Sequence, residues 1–522
     1  MQSRYNASAR KKITRETIMK RRLLTFVCLL LILANLATIL SACNTANNGD
    51  ATEDVAATKE SENTENTEAT EEMSETREIN CAIGAHDYVV VSKVDALALR
   101  DGEASYECSV CKDSYVEHLP ATKSLKVLAL GNSFTDDSTW HLWDICKDAG
   151  VEDLIVANLY VGNCTLNQHW ENISTGKAVY TYRKTVSGTR IDTENYKFLD
   201  ALEDEEWDFI VLHQTSGSAG LASNFVNLNS IIRIIESKKT NPDAKIIWHM
   251  PWAYQSDSTH AEFSKYDKDQ MKMYETIVAR VKEIILPKET IYDIIPSGTA
   301  IQNLRTSYVG DNVTRDGYHL DYGFGRYTAG LTWYAILTGG DVDAPDWVPA
   351  KYPEVKMYLS AIREAVKGAL EENFKVSESS FKKPEEAFDL LSDYELLEWD
   401  YVTNGHWNCS ASTAIVTPSS SDTTLYNTNI CVDRMYSIDE LPVGTVIVCD
   451  YGWRFRLEQF KTPSSKYTGS RHGGAVDVFF VLTDEFLNGC QYLAWSVSSN
   501  PRSDISDQFD EAYTHIRIYV PR

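Results

Sequence analysis

The sequence is short of basic residues: 50 Lys and Arg stand against 75 Asp and Glu, for a formal net charge of −25. A polyanion needs a basic surface to hold it, so this balance argues against nucleic acid as a partner, although part of the excess sits in an acidic tail. Long apolar stretches are equally sparse. One run, Leu23 to Leu40, reaches the length of a membrane span, and the remaining apolar segments are strand-sized. Cys146 and Cys164 have no cysteine at a recognisable spacing and read as buried thiols. Between residues 44 and 80 large apolar side chains nearly vanish, and acids such as Glu53, Asp54, Glu62, Glu65, Glu71 and Glu72 stand among Thr, Ser and Asn. Such a segment cannot bury enough surface to fold, and its like charges extend it, so it reads as a disordered acidic tether. The rest is globular in composition, with 43% hydrophobic residues overall and 28 tyrosines, and 522 residues suffice for two or three domains.

The apolar run follows Lys11, Lys12, Lys20, Arg21 and Arg22 and ends in Leu40-Ser41-Ala42-Cys43. A basic segment, an apolar core and small residues at a cleavage point describe an export signal; a retained membrane helix is the alternative. Small residues directly before a cysteine resemble the bacterial lipobox, which implies lipidation of Cys43. Residues 1–43 are then a lipoprotein signal peptide. The mature chain is exported and lipid-anchored at Cys43 to the outer face of a bacterial cytoplasmic membrane, with residues 44–80 as spacer.

A small module occupies residues 81–122. It carries Cys81-x4-His86 and then Cys108-Ser109-Val110-Cys111, with strand-like segments around Tyr88 to Val91 and Ser114 to Thr122. Cys81, His86, Cys108 and Cys111 supply the four N/S ligands that suit tetrahedral zinc, and the whole resembles zinc-ribbon-like modules. A disulfide is the competing reading in an exported protein. Either way the role is structural, because four ligands leave no open position.

From Leu125 the grammar changes. Apolar runs Leu125–Gly131, Asp153–Asn163, Trp207–Ser218, Ala244–Tyr254 and Ile291–Gly298 alternate with helical stretches such as Phe225–Ser237 and Lys265–Ile285. Buried strands alternating with amphipathic helices predict an α/β domain on a parallel sheet over residues 124–375. Sites in such sheets gather past the carboxyl ends of the strands. Gly131-Asn132-Ser133, Gly162-Asn163, His213-Gln214 and His249 all fall there. Asp136 and Asp137 read as acids opening a helix, where they complement its dipole.

Downstream, Asp316-Gly317-Tyr318-His319 places an acid and an imidazole on one tight turn, so that the carboxylate can orient the ring toward a serine. The ordered blocks "LKVLALGNSFTDD", "DFIVLHQTS" and "TRDGYHLDYGFGRY" resemble the SGNH (GDSL-like) hydrolase superfamily. More narrowly, they resemble a bacterial branch with GNSF in place of GDSL, of the DUF4886 type. The resemblance implies a three-layer, flavodoxin-like fold and an esterase needing no catalytic metal or cofactor. It implies Ser133 as nucleophile, His319 as general base and Asp316 as its orienter. The oxyanion hole would comprise the Ser133 and Gly162 backbone N–H groups and the Gln214 amide, which stands where most of the superfamily has Asn. The substrate class implied is an acylated carbohydrate or other small ester.

Residues 376–399 read as a charged linker, and residues 400–522 as a β-sandwich of short strands with Gly, Pro, Asn and Ser turns. Cys409, Cys431, Cys449 and Cys490 can pair in three ways or remain thiols. Trp407, Tyr451 and Trp453 are stacking candidates for a carbohydrate, with a packing or spacer module as the alternative. Trp140, Trp170 and Trp252 read as core or rim rather than as a sugar platform.

Overall fold

A computed structural model describes residues 81, 84–387, 393–403, 405–407, 416–418, 429–450, 452–461, 467–475, 479–499 and 508–522. The signal segment with Cys43, the tether, Cys409, Tyr451 and the Trp407 side chain lie outside the described residues. Among the described residues no helix is long and apolar enough to cross a membrane.

The first strands, β1 (Tyr88–Val94), β2 (Gly102–Cys108) and β3 (Ser114–Leu119), form an antiparallel sheet in the order β1-β2-β3. The loop between β1 and β2 ties it to the next domain. The N–H of Leu99 donates to the Thr338 carbonyl, that of Lys123 to the Ala98 carbonyl, and Lys245 pairs with Asp95 at 3.1 Å.

The central sheet follows from its composition. In β4 (Ser124–Gly131), Leu125, Val127, Leu128, Ala129 and Leu130 are all buried, because a strand covered on both faces needs apolar side chains on both. With it run β5 (Asp153–Tyr160), β8 (Phe209–Leu212), β9 (Lys245–His249) and β10 (Ile291–Ile295), parallel in the order β10-β9-β8-β4-β5. That is the flavodoxin-like order, whose switch point lies between β4 and β8. Each strand begins within two residues of its predicted run, and the α/β, three-layer expectation holds. The sequence reading missed β6 (Tyr180–Val186) and β7 (Thr189–Tyr196), an antiparallel hairpin extending the sheet beyond β5. Its Ser187-Gly188 turn has φ of +49° and +76°, the primed geometry that suits a two-residue hairpin.

Helices pack as two groups. Ser133–Thr139, Leu142–Asp148, Ser297–Leu304 and Val355–Glu371 surround the almost wholly buried Phe324–Thr338, whereas Leu166–Ser174, Phe198–Glu203 and Leu228–Lys238 contact one another.

The C-terminal region is β-rich, as expected. One sheet orders Tyr394–Leu396, Ile516–Pro521, Val446–Cys449 and Phe479–Val481; the other contains Asn429–Val432, Tyr492–Ser499 and Trp453–Phe460. The linker expectation for 376–399 needs correction at both ends. Ser379 and Ser380 bond to Glu364, and the Tyr308 N–H donates to the Phe381 carbonyl, so that stretch lines the α/β domain. Tyr394–Leu396 is a strand of the β region, because its backbone pairs with Pro521–Tyr519. The two regions share a core, where Val446, Val448, Phe479 and Tyr519 join the α/β cluster and the Tyr358 hydroxyl accepts from the Phe479 N–H at 3.1 Å. Cys431 and Cys490 are free thiols, both buried, Cys449 is likewise buried, and Trp453 is buried against His515 rather than open for stacking.

Candidate active site

The loop after β4 is built by close packing. A Cβ on Gly131 would lie 1.8 Å from Thr135 Oγ1 and 2.7 Å from Asn158 Oδ1, so only glycine fits. Asn132, extended at φ −142°, caps the helix that follows. Its Oδ1 accepts the Phe134 N–H at 2.9 Å, and its own N–H donates to Thr135 Oγ1 at 2.8 Å, a capping box. The helix therefore begins at Ser133 and not near Asp136. The cap also fixes the neighbouring loop, since Asn132 Nδ2 donates to the Cys164 carbonyl.

Asp316 uses its two oxygens for different tasks. Oδ1 accepts the backbone N–H groups of His319 (2.8 Å) and Tyr318 (3.3 Å), closing the turn, while Oδ2 lies 2.7 Å from His319 Nδ1. Gly317 at φ +88° makes that turn feasible, and a Cβ there would sit 3.0 Å from Ser258 Oγ. His319 Nε2 then reaches Ser133 Oγ at 2.9 Å. With Nδ1–H directed to the carboxylate, Nε2 is left as the acceptor for the serine proton. Burial pushes the Asp316 carboxyl upward, but the hydrogen bonds from the His319 ring and backbone outweigh it and hold the group below its ordinary value.

Asp137, expected to be a simple dipole acid, is buried at the centre of the support. Its carboxylate accepts the Leu320 N–H (3.0 Å), Arg326 Nε (2.8 Å) and Arg315 Nη1 (3.1 Å), tying the helix that begins at Ser133 to the residue after His319. No spacing rule connects Asp137 to Arg315 or Arg326, so only the folded chain reveals the cluster. Arg326 lies over the rings of Trp140 (4.3 Å) and Tyr322 (4.8 Å), and Arg315 over Tyr322 (4.5 Å). Trp140 is thus a rim residue stacked on cations, and Trp252 is core, stacked on Phe134 at 4.4 Å.

The other candidates divide. The Ser133 N–H starts a helix and has no intrahelical acceptor, and the exposed Gly162 N–H has no acceptor among the described residues. Gln214 departs from expectation. It is fully buried, its Nε2 donates to the Asn224 carbonyl (2.8 Å), and its Oε1 accepts the N–H groups of Leu166 and Thr215. The amide ties three loops together instead of standing open as a donor. Asn163, next to Gly162, is exposed at φ +54°, and its Oδ1 accepts the Thr215 hydroxyl, which leaves Nδ2 as a donor on that turn. His213 and His249, which the sequence places at strand ends and favours as structural residues, are buried with ring centroids 5.6 Å apart. Burial pushes His213 down to about 3 and His249 well below its ordinary value.

In the small module, the ligand atoms of Cys81, His86, Cys108 and Cys111 lie within 4.8 Å of one another, so the fold assembles the predicted cluster.

Residues 126–363 match the domain of unknown function DUF4886. A DUF4886 family protein from Bacteroides uniformis is 37% identical over 50% of this chain and 100% of that one, with a TM-score of 0.47. A proposed SGNH hydrolase from Slackia heliotrinireducens is 18% identical over 42% of this chain and 100% of that one, with a TM-score of 0.27, a likeness too slight to carry an argument. No curated protein matches the chain. Identity of 37% across the whole of the Bacteroides uniformis protein settles the kinship: the chain belongs to the DUF4886 family.

Proposed function

We propose that this protein is a serine esterase of the SGNH type that removes acyl groups, acetyl foremost, from carbohydrate or glycan esters at the outer face of a bacterial cytoplasmic membrane, where lipidated Cys43 holds it. The unbroken relay from Asp316 through His319 to Ser133 carries this reading. His319 Nε2 takes the hydroxyl proton as Ser133 Oγ attacks the ester carbonyl. The tetrahedral oxyanion is met by the Ser133 and Gly162 N–H groups, with Asn163 Nδ2 as third donor in place of the buried Gln214 amide. Collapse breaks the bond to the alcohol oxygen, which receives the proton from His319, and water then repeats the sequence to release the acid. No step requires a metal or cofactor.

The carbohydrate part rests on the site's flank. A hollow of about 560 Å³ is lined by Trp140, Tyr322, Trp347, Pro349 and Tyr352, of which Tyr322 follows His319 in the chain and lies under the Arg315 and Arg326 guanidinium groups. Aromatic walls with charged neighbours suit a sugar better than a long acyl chain. Acetate release from acetylated oligosaccharides, compared with hydrolysis of aryl acetate and of a long-chain aryl ester, tests this. Tyr352→Ala should raise KM for the oligosaccharide several-fold and leave aryl acetate unchanged. Preference for the long-chain ester would point to a lipase instead. Absence of any ester hydrolysis would leave a noncatalytic glycan-binding lipoprotein.

Asp137 is a positioning residue in this scheme. Asp137→Asn keeps the shape but removes the charge facing Arg315 and Arg326. Displacing the His319 turn by a fraction of an ångström should lower kcat roughly tenfold to a hundredfold. KM should stay within about twofold, because the residue touches no substrate. An unchanged kcat in folded variant would remove Asp137 from the catalytic support.

A further inference from the structure

The 81–122 module holds a second site, unrelated to the triad. Its four donor atoms are spaced for coordination and not for a disulfide. Cys81 Sγ and Cys108 Sγ are 3.6 Å apart, and His86 Nδ1 lies 3.2 Å from Cys111 Sγ. A disulfide needs about 2.05 Å between sulfurs. A tetrahedron with metal–sulfur bonds of about 2.3 Å has edges of roughly 3.7 Å. All three cysteines are free.

The surrounding backbone shapes the site before any ion arrives. Cys108 accepts the Lys112 N–H through its carbonyl (3.2 Å) and donates its own N–H to the Asp113 carbonyl (2.8 Å), with Lys112 at φ +65°. The Ser109 N–H donates to the Asp87 carbonyl (2.9 Å), and Ser109 Oγ donates to the Asp87 carboxylate (2.7 Å), which draws the His86 segment onto the Cys-x2-Cys turn. His86 is further oriented by stacking on Tyr88 at 5.2 Å.

We infer that Cys81, His86, Cys108 and Cys111 bind one zinc ion through three thiolates and His86 Nδ1. Three sulfurs and one imidazole nitrogen form a soft donor set that suits zinc, whereas calcium and magnesium require oxygen ligands. Binding converts three thiols to thiolates and releases their protons to solvent, with no change of oxidation state. Four protein ligands close the coordination sphere, so the ion is structural.

The module needs that ion because it has almost no core. In β1 and β3 nearly every residue is exposed, and of the three strands only Gly102, Ala104 and Cys108 are buried. Val89, Val90, Val91, Val94 and Val116 remain about half exposed. So few buried apolar groups cannot offset the entropy of ordering some forty residues. The ion acts far from the triad, since the module attaches at Lys123 and Lys245, which sit at the beginnings of β4 and β9, while Ser133 lies past the end of β4.

Elemental analysis of the full chain, purified without added chelator, should find one zinc per chain. His86→Ala and Cys111→Ser should each lose it, and Cys146→Ser, which alters a buried thiol elsewhere, should keep it. Cobalt substituted into the unmutated chain should give thiolate-to-metal charge-transfer bands with the intense visible bands of a tetrahedral ion, a readout independent of how the variants fold. Chelation should open residues 81–122 to protease. A metal-free chain whose module resists protease, or a mass two hydrogen atoms lower locating a Cys81–Cys108 disulfide, would overturn the assignment. Ester hydrolysis plays no part in these readouts, so the zinc site and the esterase reading stand or fall separately.

Discussion

Ser133→Ala should abolish ester hydrolysis, lowering kcat/KM by about 10⁴-fold or more, the loss typical of a nucleophile acting within a triad. The change removes one hydroxyl whose polar contact is His319, and the rest of the turn is held by Asn132 and Gly131. Its cost in stability should therefore be within the range of one hydrogen bond, about 0.5–1.5 kcal/mol. His319→Ala should match the loss, and the double variant should be no worse than either single one, because the two groups act as one unit. A phosphonate ester probe should add covalently to Ser133 in the unmutated chain alone. Asp316, held below its ordinary carboxylate value by the hydrogen bonds from His319, stays ionised in mild acid and adds no step of its own to the acid limb of kcat/KM. Unmutated protein no more active than Ser133→Ala would end the esterase reading.

The second large effect is loss of stability in mild acid. Burial pushes His213 and His169 down to about 3 and His141 to about 4, and His249 well below its ordinary value. His213 and His249 face each other, His169 faces Tyr180, and His141 bonds the Tyr322 carbonyl, and among the described residues no carboxylate is hydrogen-bonded to any of the four. Unfolded, each would titrate near 6.5. Between that value and the folded one, the unfolded chain binds protons that the native chain refuses. Their stabilising effect is therefore complete above about pH 6.5 and is lost as pH falls. Each histidine contributes a slope of about 1.4 kcal/mol per pH unit, or about 2 kcal/mol by pH 5. Asp208 and Asp293, raised by burial, take up protons in the folded state and offset part of this. A net loss of at least about 3 kcal/mol between pH 7.5 and pH 5.0 is expected, against a total stability of about 5–15 kcal/mol for a domain. Urea unfolding midpoints at the two pH values measure it. His213→Leu should flatten the dependence by up to one proton, and equal midpoints in the unmutated chain would refute the prediction.

Much of this was legible before folding, and the parts that were share a property. The five parallel strands were visible because burial on both faces demands apolar runs, a requirement that each strand meets within its own residues. The hairpin Tyr180–Tyr196 escaped because its two strands carry mostly polar and half-exposed side chains, leaving only Ser187-Gly188 as a signal. Gln214 was misjudged because its position past a strand end says nothing about depth. The loops that close over it come from Leu166 and Asn224.

The sequence by itself determined what depends on neighbours in the chain: the five parallel strands, the Asp316–His319 pair three residues apart, and the Cys-x2-Cys turn. These are set by short-range sterics and hydrogen bonds that a few residues contain in full. Only the tertiary structure decided what depends on closing long loops. It brought His319 to Ser133 across 186 positions, gathered Arg315 and Arg326 on Asp137, and sank His213 and His249 beneath the rim. The physical reason is that such contacts form only when packing of the whole sheet and its helices repays the entropy of bringing distant segments together.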